Sequence, residues 1–366
     1  MKQRVQRSNE ALVVQENRSD GNEVSVKVGM SSKVDRRQHS IDWLRVWPFI
    51  SLHIACLAVF WIGWSAVAIG TAIALYVVRM FAITAFYHRY FSHKSFKTSR
   101  SLQFIFAVLG ASATQRGPLW WAAHHRYHHR TSDTLEDPHT PRHGFWRSHC
   151  GWFLGRQYFR TQENLIKDFA QFPELRWLDR FDLVVPVVLG TSLWLAGEYL
   201  GHAYPDLETS GLQMFVWGYC ISTVVLIHAT LSINSFAHRY GSRRYKTSDD
   251  SRNNFWLALI TLGEGWHNNH HHYSGSVRQG FFWWEIDISF YLLKVMQWCG
   301  LIWDLRPVPE RKKWSHQQRE SAGIASGELV SGELMSEEPV SGKLVSGKLA
   351  SGKLVSGRLV PGEVLS

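Results

Sequence analysis

Three short stretches of the chain concentrate imidazoles: HRYFSH (88–93), HRYHH (125–129) and HNNHH (267–271). In the last two, His125, His128 and His129, and likewise His267, His270 and His271, fall at i, i+3 and i+4. That spacing puts three rings on one face of a helix. Two such helices facing one another, completed by His88 and His93, can enclose two metal ions. His88 and His93 are five apart, about 140° around an ideal α-helix, so they converge only where the helix ends or distorts. One histidine pair on a surface is ordinarily a solvated or core pair; three clusters, two of them with identical spacing, read as a metal site. Neutral imidazoles bind Fe, Zn, Cu or Ni and, unlike carboxylates, leave the metal's charge uncompensated. That suits an electrophilic di-iron centre able to activate O2 and attack an unactivated C–H bond. The residues name ligands and not the ion, so zinc stays open here. His124, His139, His143 and His272 are either outer partners that orient the ligands or surface residues.

The elements that position these clusters are apolar. Residues 47–63 and 64–87 form a pair of spans broken near Gly63–Ser65, and 183–201 with 212–233 form a second pair. Each has about the 17–25 residues a membrane crossing needs. The loop HAYPDLETSG and the turn near residue 64 carry no Lys or Arg, whereas the N-terminal arm is basic. The positive-inside rule therefore places both termini and the segments 88–182 and 234–366 in the cytoplasm, at a bacterial inner membrane or endoplasmic reticulum. The predicted fold is an all-α integral membrane protein: four transmembrane helices with a cytoplasmic helical cap holding a histidine-ligated dimetal site. The run 102–113 is too short to span. The run 281–303 is interrupted by Glu285, Asp287 and Lys294 and suits an amphipathic helix on the membrane surface rather than a fifth crossing. Arg79, inside the second span, is expected to snorkel to the interface, and His228, in the fourth, to face protein rather than lipid.

Three segments follow: a disordered basic arm (1–42), a membrane domain (43–308) and a disordered tail (309–366) built on SGxLx pentapeptides, whose period matches neither helix nor strand. No apolar signal segment is expected within 1–40. The four cysteines, Cys56, Cys150, Cys220 and Cys299, form no C-x-x-C pair, which argues against a disulfide framework or thiolate metal site. The net charge of +10 is scattered without a nucleic-acid reading module, so no nucleic-acid partner is expected. Anionic lipid, an acidic redox partner or a phosphate-bearing substrate fits better.

HRYFSH, HRYHH and GEGWHNNHH resemble the three histidine boxes of the membrane fatty acid desaturases, specifically the Δ9, stearoyl-CoA desaturase type. NSFAHRYG, EDPH (136–139) and KTS (97–99) resemble further motifs of that group, and the likeness covers about residues 45–305. The resemblance implies nine histidine ligands around two iron ions, with His238 as the ninth and Asn234 reaching a metal through water. It also implies that Gln115, Trp121 and Thr230 line the bend of an acyl tunnel that presents carbons 9 and 10 to the irons. Arg156 matches a basic position that holds nucleotide phosphates in acyl-CoA enzymes, although Gln157 replaces the usual second base. The implied activity is O2-dependent desaturation of a saturated acyl chain to a cis-monounsaturated one, with acyl-CoA or another acyl carrier as substrate.

Two rival functions share features of the sequence. A histidine-rich membrane hydroxylase would use the same metal chemistry and yield an alcohol. A metal transporter would place its ligands inside the spans near mid-membrane, whereas these lie outside them. A carboxylate di-iron bundle would need Glu-x-x-His on two helices; Glu136 precedes Pro138, and Glu264 lies between Gly263 and Gly265, so both matches fail as helices. The sequence has no Rossmann fingerprint, iron–sulfur spacing or haem module. Electrons must therefore come from a separate cytochrome b5-like, ferredoxin or rubredoxin donor with its reductase, which a basic face could dock.

Overall fold

The computed structural model describes residues 41–315 throughout and, outside them, the backbone of 5–7, 10–18, 24–30, 354–355 and 358–359. Four helices are long and apolar enough to cross a membrane: Trp43–Ile62, Ala66–Ser92, Val184–Ala203 and Pro205–Ser235. They match the four expected spans. Asp42 caps the first by accepting from the Arg45 amide, and Ser65 caps the second. Between them Gly63 takes φ 68°, a left-handed value that glycine adopts without strain. The run expected to lie on the membrane surface contains the helix Ile288–Trp298. At eleven residues it is about 16 Å long, half the hydrocarbon thickness.

The second span changes geometry as it ends. Ala82–Ser92 is a π-helix whose eleven residues are all buried. Its wider turn bonds i to i+5, as in the His93 amide to the His88 carbonyl at 3.2 Å, and the Ser92 hydroxyl donates back to the Tyr87 carbonyl at 2.8 Å. Against this segment pack the helices Arg100–Ala111 and Pro118–Thr131. Phe86 stacks on Phe106 at 3.8 Å. Gly110 admits the Tyr87 ring, which a Cβ there would meet at 2.0 Å. Pro118 starts its helix, where a missing N–H costs nothing.

Arg79 departs from its expected snorkelling. It is 1% exposed and donates to the Thr223 hydroxyl at 2.6 Å, the Ser112 carbonyl at 3.3 Å and the Ser222 hydroxyl. Hydroxyls from the fourth span satisfy the guanidinium where it stands, so it need not reach water. His228 does face protein, with Nε2 3.0 Å from His53 and Nδ1 2.9 Å from His149.

Packed structure runs a few residues past the expected domain end. Trp314 sits 5.2 Å from the Phe282 ring, and the Tyr245 hydroxyl donates to the Lys313 carbonyl at 2.8 Å. Most of the arm and tail expected to be disordered lies outside the described residues. Within the arm, Val5–Arg7, Glu10–Arg18 and Val24–Met30 pair as three antiparallel strands. The alternation of Val24, Val26 and Val28 fits a strand's period of two. Residues 318–366 form a separate unit, of which the short pair Leu354–Val355 and Arg358–Leu359 is described.

Candidate metal centre and adjoining cavity

The nine histidines converge as two groups. His88, His93, His125, His129 and His270 form one, and His128, His238, His267 and His271 the other. Each of the two cap helices serves both. From Pro118–Thr131, His125 and His129 point to the first group and His128 to the second. From His267–His272 the roles reverse, with His267 and His271 going to the second group and His270 to the first. An i, i+4 pair lies along one line of a helix and i+3 beside it, so two facing helices divide their triplets between two centres. The π-helix supplies the distortion that His88 and His93 require: residues five apart become neighbours, and the rings stand 4.9 Å apart. His238 follows the fourth span and completes the second group, with Nε2 3.1 Å from His267 Nε2.

Within the first group, Nε2 atoms lie 2.8 Å apart for His93 and His125, 3.0 Å for His125 and His129, 2.9 Å for His129 and His270, and 3.1 Å for His88 and His270. Metal–imidazole bonds of about 2.0–2.1 Å at right angles put neighbouring donors about 3 Å apart. The outer nitrogens fix the tautomer. His128 Nδ1 lies 3.1 Å from Asp137, His238 Nδ1 2.7 Å from Asp133 and His271 Nδ1 2.7 Å from Asp249, and His88 Nδ1 meets Glu264. With Nδ1–H donated outward to a carboxylate, the Nε2 lone pairs face one another, an arrangement that only a cation stabilises. His271 Nε2, buried, has no hydrogen-bond partner. The donor set fits two histidine-ligated ions.

Burial holds these imidazoles in the neutral, metal-binding form. His93, His125, His129, His267 and His270 are pushed well below the usual histidine range by desolvation, with neighbouring imidazoles adding to it. Burial likewise lowers His271, to about 4. For Asp133 burial alone would raise the carboxyl, but the hydrogen bond and charge of His238 outweigh it and hold it at about 2.

The four carboxylates are functional residues that histidine spacing does not reveal. They perform the orienting role the sequence suggests for His124, His139, His143 and His272. His143 is exposed, and His272 stacks on Tyr245 at 4.0 Å. Glu264 fails as a helical metal ligand, as its flanking glycines imply. It serves instead as an outer partner that also accepts from Arg89 and Gln279, at 3.2 and 3.0 Å.

A cavity of about 1130 Å³ reaches this centre, and its walls include Gln115, Trp121, His125, Thr230 and Asn234. Gln115 donates to the Thr230 hydroxyl at 3.0 Å, and Trp121 stacks on His125 at 5.1 Å. A smaller void of about 50 Å³ shares Trp121, His125, Thr230 and Asn234 and adds His88, His128 and His267. The structure thus brings the expected bend residues and Asn234 together beside the ligands. Arg156 stands elsewhere, 3.7 Å from Asp42 and absent from the cavity wall, which carries Arg45, Arg116, Arg160, Arg176 and Arg180 instead.

Comparison with known proteins agrees with this geometry. A family model described as fatty acid desaturase matches residues 62–293. An acyl-CoA 5-desaturase of Anemone leveillei is 36% identical over 295 residues, covering 76% of this chain and 87% of that protein. A Δ9 acyl-lipid desaturase of Arabidopsis thaliana is 34% identical over 282 residues, with 76% and 87% covered. An sn-1 stearoyl-lipid 9-desaturase of Anabaena variabilis is 36% identical over 264 residues, with 71% and 92% covered.

Proposed function

The chain belongs to the fatty acid desaturase family, and within it we propose that it introduces a cis double bond at carbon 9 of a saturated acyl chain, using O2 and two iron ions. The observation that carries this reading is the division of nine inward-facing Nε2 atoms into five and four beside a cavity of about 1130 Å³. His88, His93, His125, His129 and His270 would hold one iron, and His128, His238, His267 and His271 the other, with Asn234 reaching an ion through water. Bound there, the irons supply O2 activation and the oxidising strength to remove hydrogen from an unactivated carbon.

The protein's own residues do the rest. The cavity strips water from the acyl chain. Trp121 and the Gln115–Thr230 hydrogen bond shape a bend that selects the carbon pair and the cis geometry, a positional effect worth many orders of magnitude when reacting atoms are held in place. Asp133, Asp137, Asp249 and Glu264 keep the ligand imidazoles in register. The balanced reaction takes one O2, two electrons and two protons, and converts –CH2–CH2– to –CH=CH– with two waters. A separate cytochrome b5-like, ferredoxin or rubredoxin donor supplies the electrons at the cytoplasmic face.

Expression in a desaturase-deficient host, followed by mass-spectrometric location of new double bonds, tests the proposal. A cis bond at carbon 9 is expected. An alcohol instead would identify a hydroxylase, and metal uptake into proteoliposomes without any acyl product a transporter.

A further inference from the structure

The outer partners of the two ligand groups lead in different directions. From the first group, His88 Nδ1 meets Glu264, which accepts from Arg89 and Gln279. These three residues are 7, 1 and 1% exposed, and Asp287 behind Arg89 is fully buried. From the second group the contacts run outward. His271 Nδ1 lies 2.7 Å from Asp249, whose backbone carbonyl accepts from Arg243 at 2.6 Å. His238 Nδ1 lies 2.7 Å from Asp133, which accepts from the Asp250 amide at 2.8 Å, and the Asp250 carboxylate accepts from Arg142 at 3.2 Å. Arg142 and Arg243 are exposed. One or two residues thus separate each of these ligand rings from a guanidinium group in solvent. Electron tunnelling weakens steeply with distance, so electrons enter a buried metal centre where the covering protein is thin.

The outward contacts belong to two segments outside the spans, 133–143 and 239–252, which form one surface. Arg239 donates to the Pro141 carbonyl at 2.8 Å, and His143 Nε2 lies 3.4 Å from the Leu135 carbonyl. Asp133, Asp137 and Asp249 turn inward and are buried. Outward stand Arg142, Arg239, Arg243 and Lys246 against Glu136 and Asp250, and Leu135 is 83% exposed. A basic surface with an exposed apolar side chain suits a brief encounter with an acidic protein. Charge speeds association, and electron-transfer complexes bury less than about 1,200 Å². The basic wall of the large cavity suits it less. Arg45, Arg116 and Arg176 there face Asp42, Asp182 and Glu163 at 3.9, 2.7 and 3.2 Å, and a protein seated on them would cover the cavity. None of Leu135, Arg142, Arg239, Arg243 and Lys246 lines it.

We propose that an acidic one-electron carrier docks on the surface formed by 133–143 and 239–252, and that electrons enter through the ion held by His128, His238, His267 and His271. Each encounter oxidises one carrier and reduces one ferric ion to ferrous, with no bond made or broken, so two encounters supply the two electrons of the reaction. The assignment rests on the desaturase reading, which requires an outside donor.

Binding is measured on the iron-loaded full chain in phosphatidylcholine nanodiscs, with oxidised carriers so that no electron moves: the haem domain of a cytochrome b5, a [2Fe–2S] ferredoxin and a rubredoxin. At least one should bind wild type at about 10 mM salt, where charges act over about 30 Å, and weaken as salt rises. Arg239→Glu combined with Lys246→Glu should weaken that carrier about 10-fold or more, since each reversal exchanges an attraction for a repulsion. Lys167→Glu, exposed on another element, should not. Arg239→Gln combined with Lys246→Gln removes the charges alone, should show a smaller loss, and stands in for the reversal if that does not fold. Pre-reduced carrier should deliver electrons more slowly to the double variant while its iron content stays at the wild-type level. Wild type that binds none of the carriers, double variants that bind as wild type does, or an equal loss in Lys167→Glu each overturn the proposal. So does wild-type binding that vanishes when phosphatidylglycerol is added to the discs, which would assign the surface to lipid headgroups. A wild type that binds the carrier here but forms no double bond in any acyl chain refutes the desaturase reading and leaves the docking surface standing.

Discussion

Asp133 and Asp249 make formally similar contacts to ligand histidines, yet replacing each by asparagine should have unequal effects. Asp133 Oδ2 accepts from His238 Nδ1 at 2.7 Å and from the Asp250 amide at 2.8 Å, while Oδ1 faces only the Thr140 hydroxyl at 3.2 Å. In Asp133→Asn the amide oxygen can keep both N–H donors, and the new NH2 can donate to Thr140, whose hydroxyl accepts equally well. Only the charge is lost, and disturbing an outer partner of a metal ligand typically costs about tenfold to a hundredfold in affinity; this variant should fall at the lower end. Asp249 is different. Its Oδ2 accepts from His271 at 2.7 Å, and its Oδ1 accepts from the Ser251 amide at 3.1 Å as well as from two hydroxyls, those of Ser251 at 2.5 Å and Thr247 at 2.9 Å. An asparagine there must either set its NH2 against the Ser251 N–H or turn that NH2 toward His271 Nδ1–H. Either choice leaves a buried donor unsatisfied, at about 1–3 kcal/mol. That corresponds to roughly 5- to 150-fold beyond the loss in Asp133→Asn. Chelator competition read by bound iron, on both variants purified in the same detergent, measures the difference. Equal losses, or a larger loss in Asp133→Asn, would refute the argument from donor and acceptor placement.

His128→Ala should abolish double-bond formation and reduce bound iron while the protein still inserts in the membrane, which product analysis, metal content and membrane fractionation report together. Gly110→Ala, which drives a Cβ into the buried Tyr87 ring, should destabilise by about 1–3 kcal/mol through overpacking, seen as a lower melting temperature with the metal ligands unchanged. His271 is lowered from 6.5 to about 4 in the folded chain. The unfolded chain therefore takes up the proton first, and stability is complete above pH 6.5 and falls as pH drops from 6.5 toward 4, by about 3 kcal/mol for this residue alone. Bound metal opposes the same protonation, so denaturant melts and iron retention should weaken together across that window, and a flat profile would contradict the burial argument.

Much of this architecture is legible in the sequence because it rests on composition and short periods. The four spans follow from apolar length, and the turn between the first two from Gly63 and Ser65. The i, i+3, i+4 triplets give six ligands directly. His238 has no such signature, since it joins the second group only after the fourth span has ended and the chain has turned. The outer carboxylates are hidden for the same reason. Asp249 is 22 residues from His271, and Asp133 is 105 residues from His238. No local rule pairs acids with imidazoles across such gaps. Arg79 illustrates the opposite failure. A lone cation in an apolar run is read as reaching for water, and the hydroxyls of Ser222 and Thr223 that remove the need lie on another helix.

His88 and His93 show how local geometry and remote chemistry depend on one another. Their separation of five defeats an α-helix and suits a π-helix, a form rare enough that sequence alone does not predict it. The wide turn survives because its surroundings compensate for it: Ser92 returns a hydrogen bond to Tyr87, every side chain of the segment is buried, and Glu264, just ahead of the third histidine cluster, meets His88. A π-segment inside a helix commonly marks a functional site, and here the reason is specific. Restoring α-helical winding by deleting one residue between Ala82 and Tyr87 would turn His88 and His93 together by about 100° against the cap, separating them from ligands that no side-chain rotation could bring back. Such a deletion should leave four apolar spans able to insert while bound iron falls as far as in His128→Ala. Iron retained at the wild-type level would show that the π-helical turn is incidental to the centre.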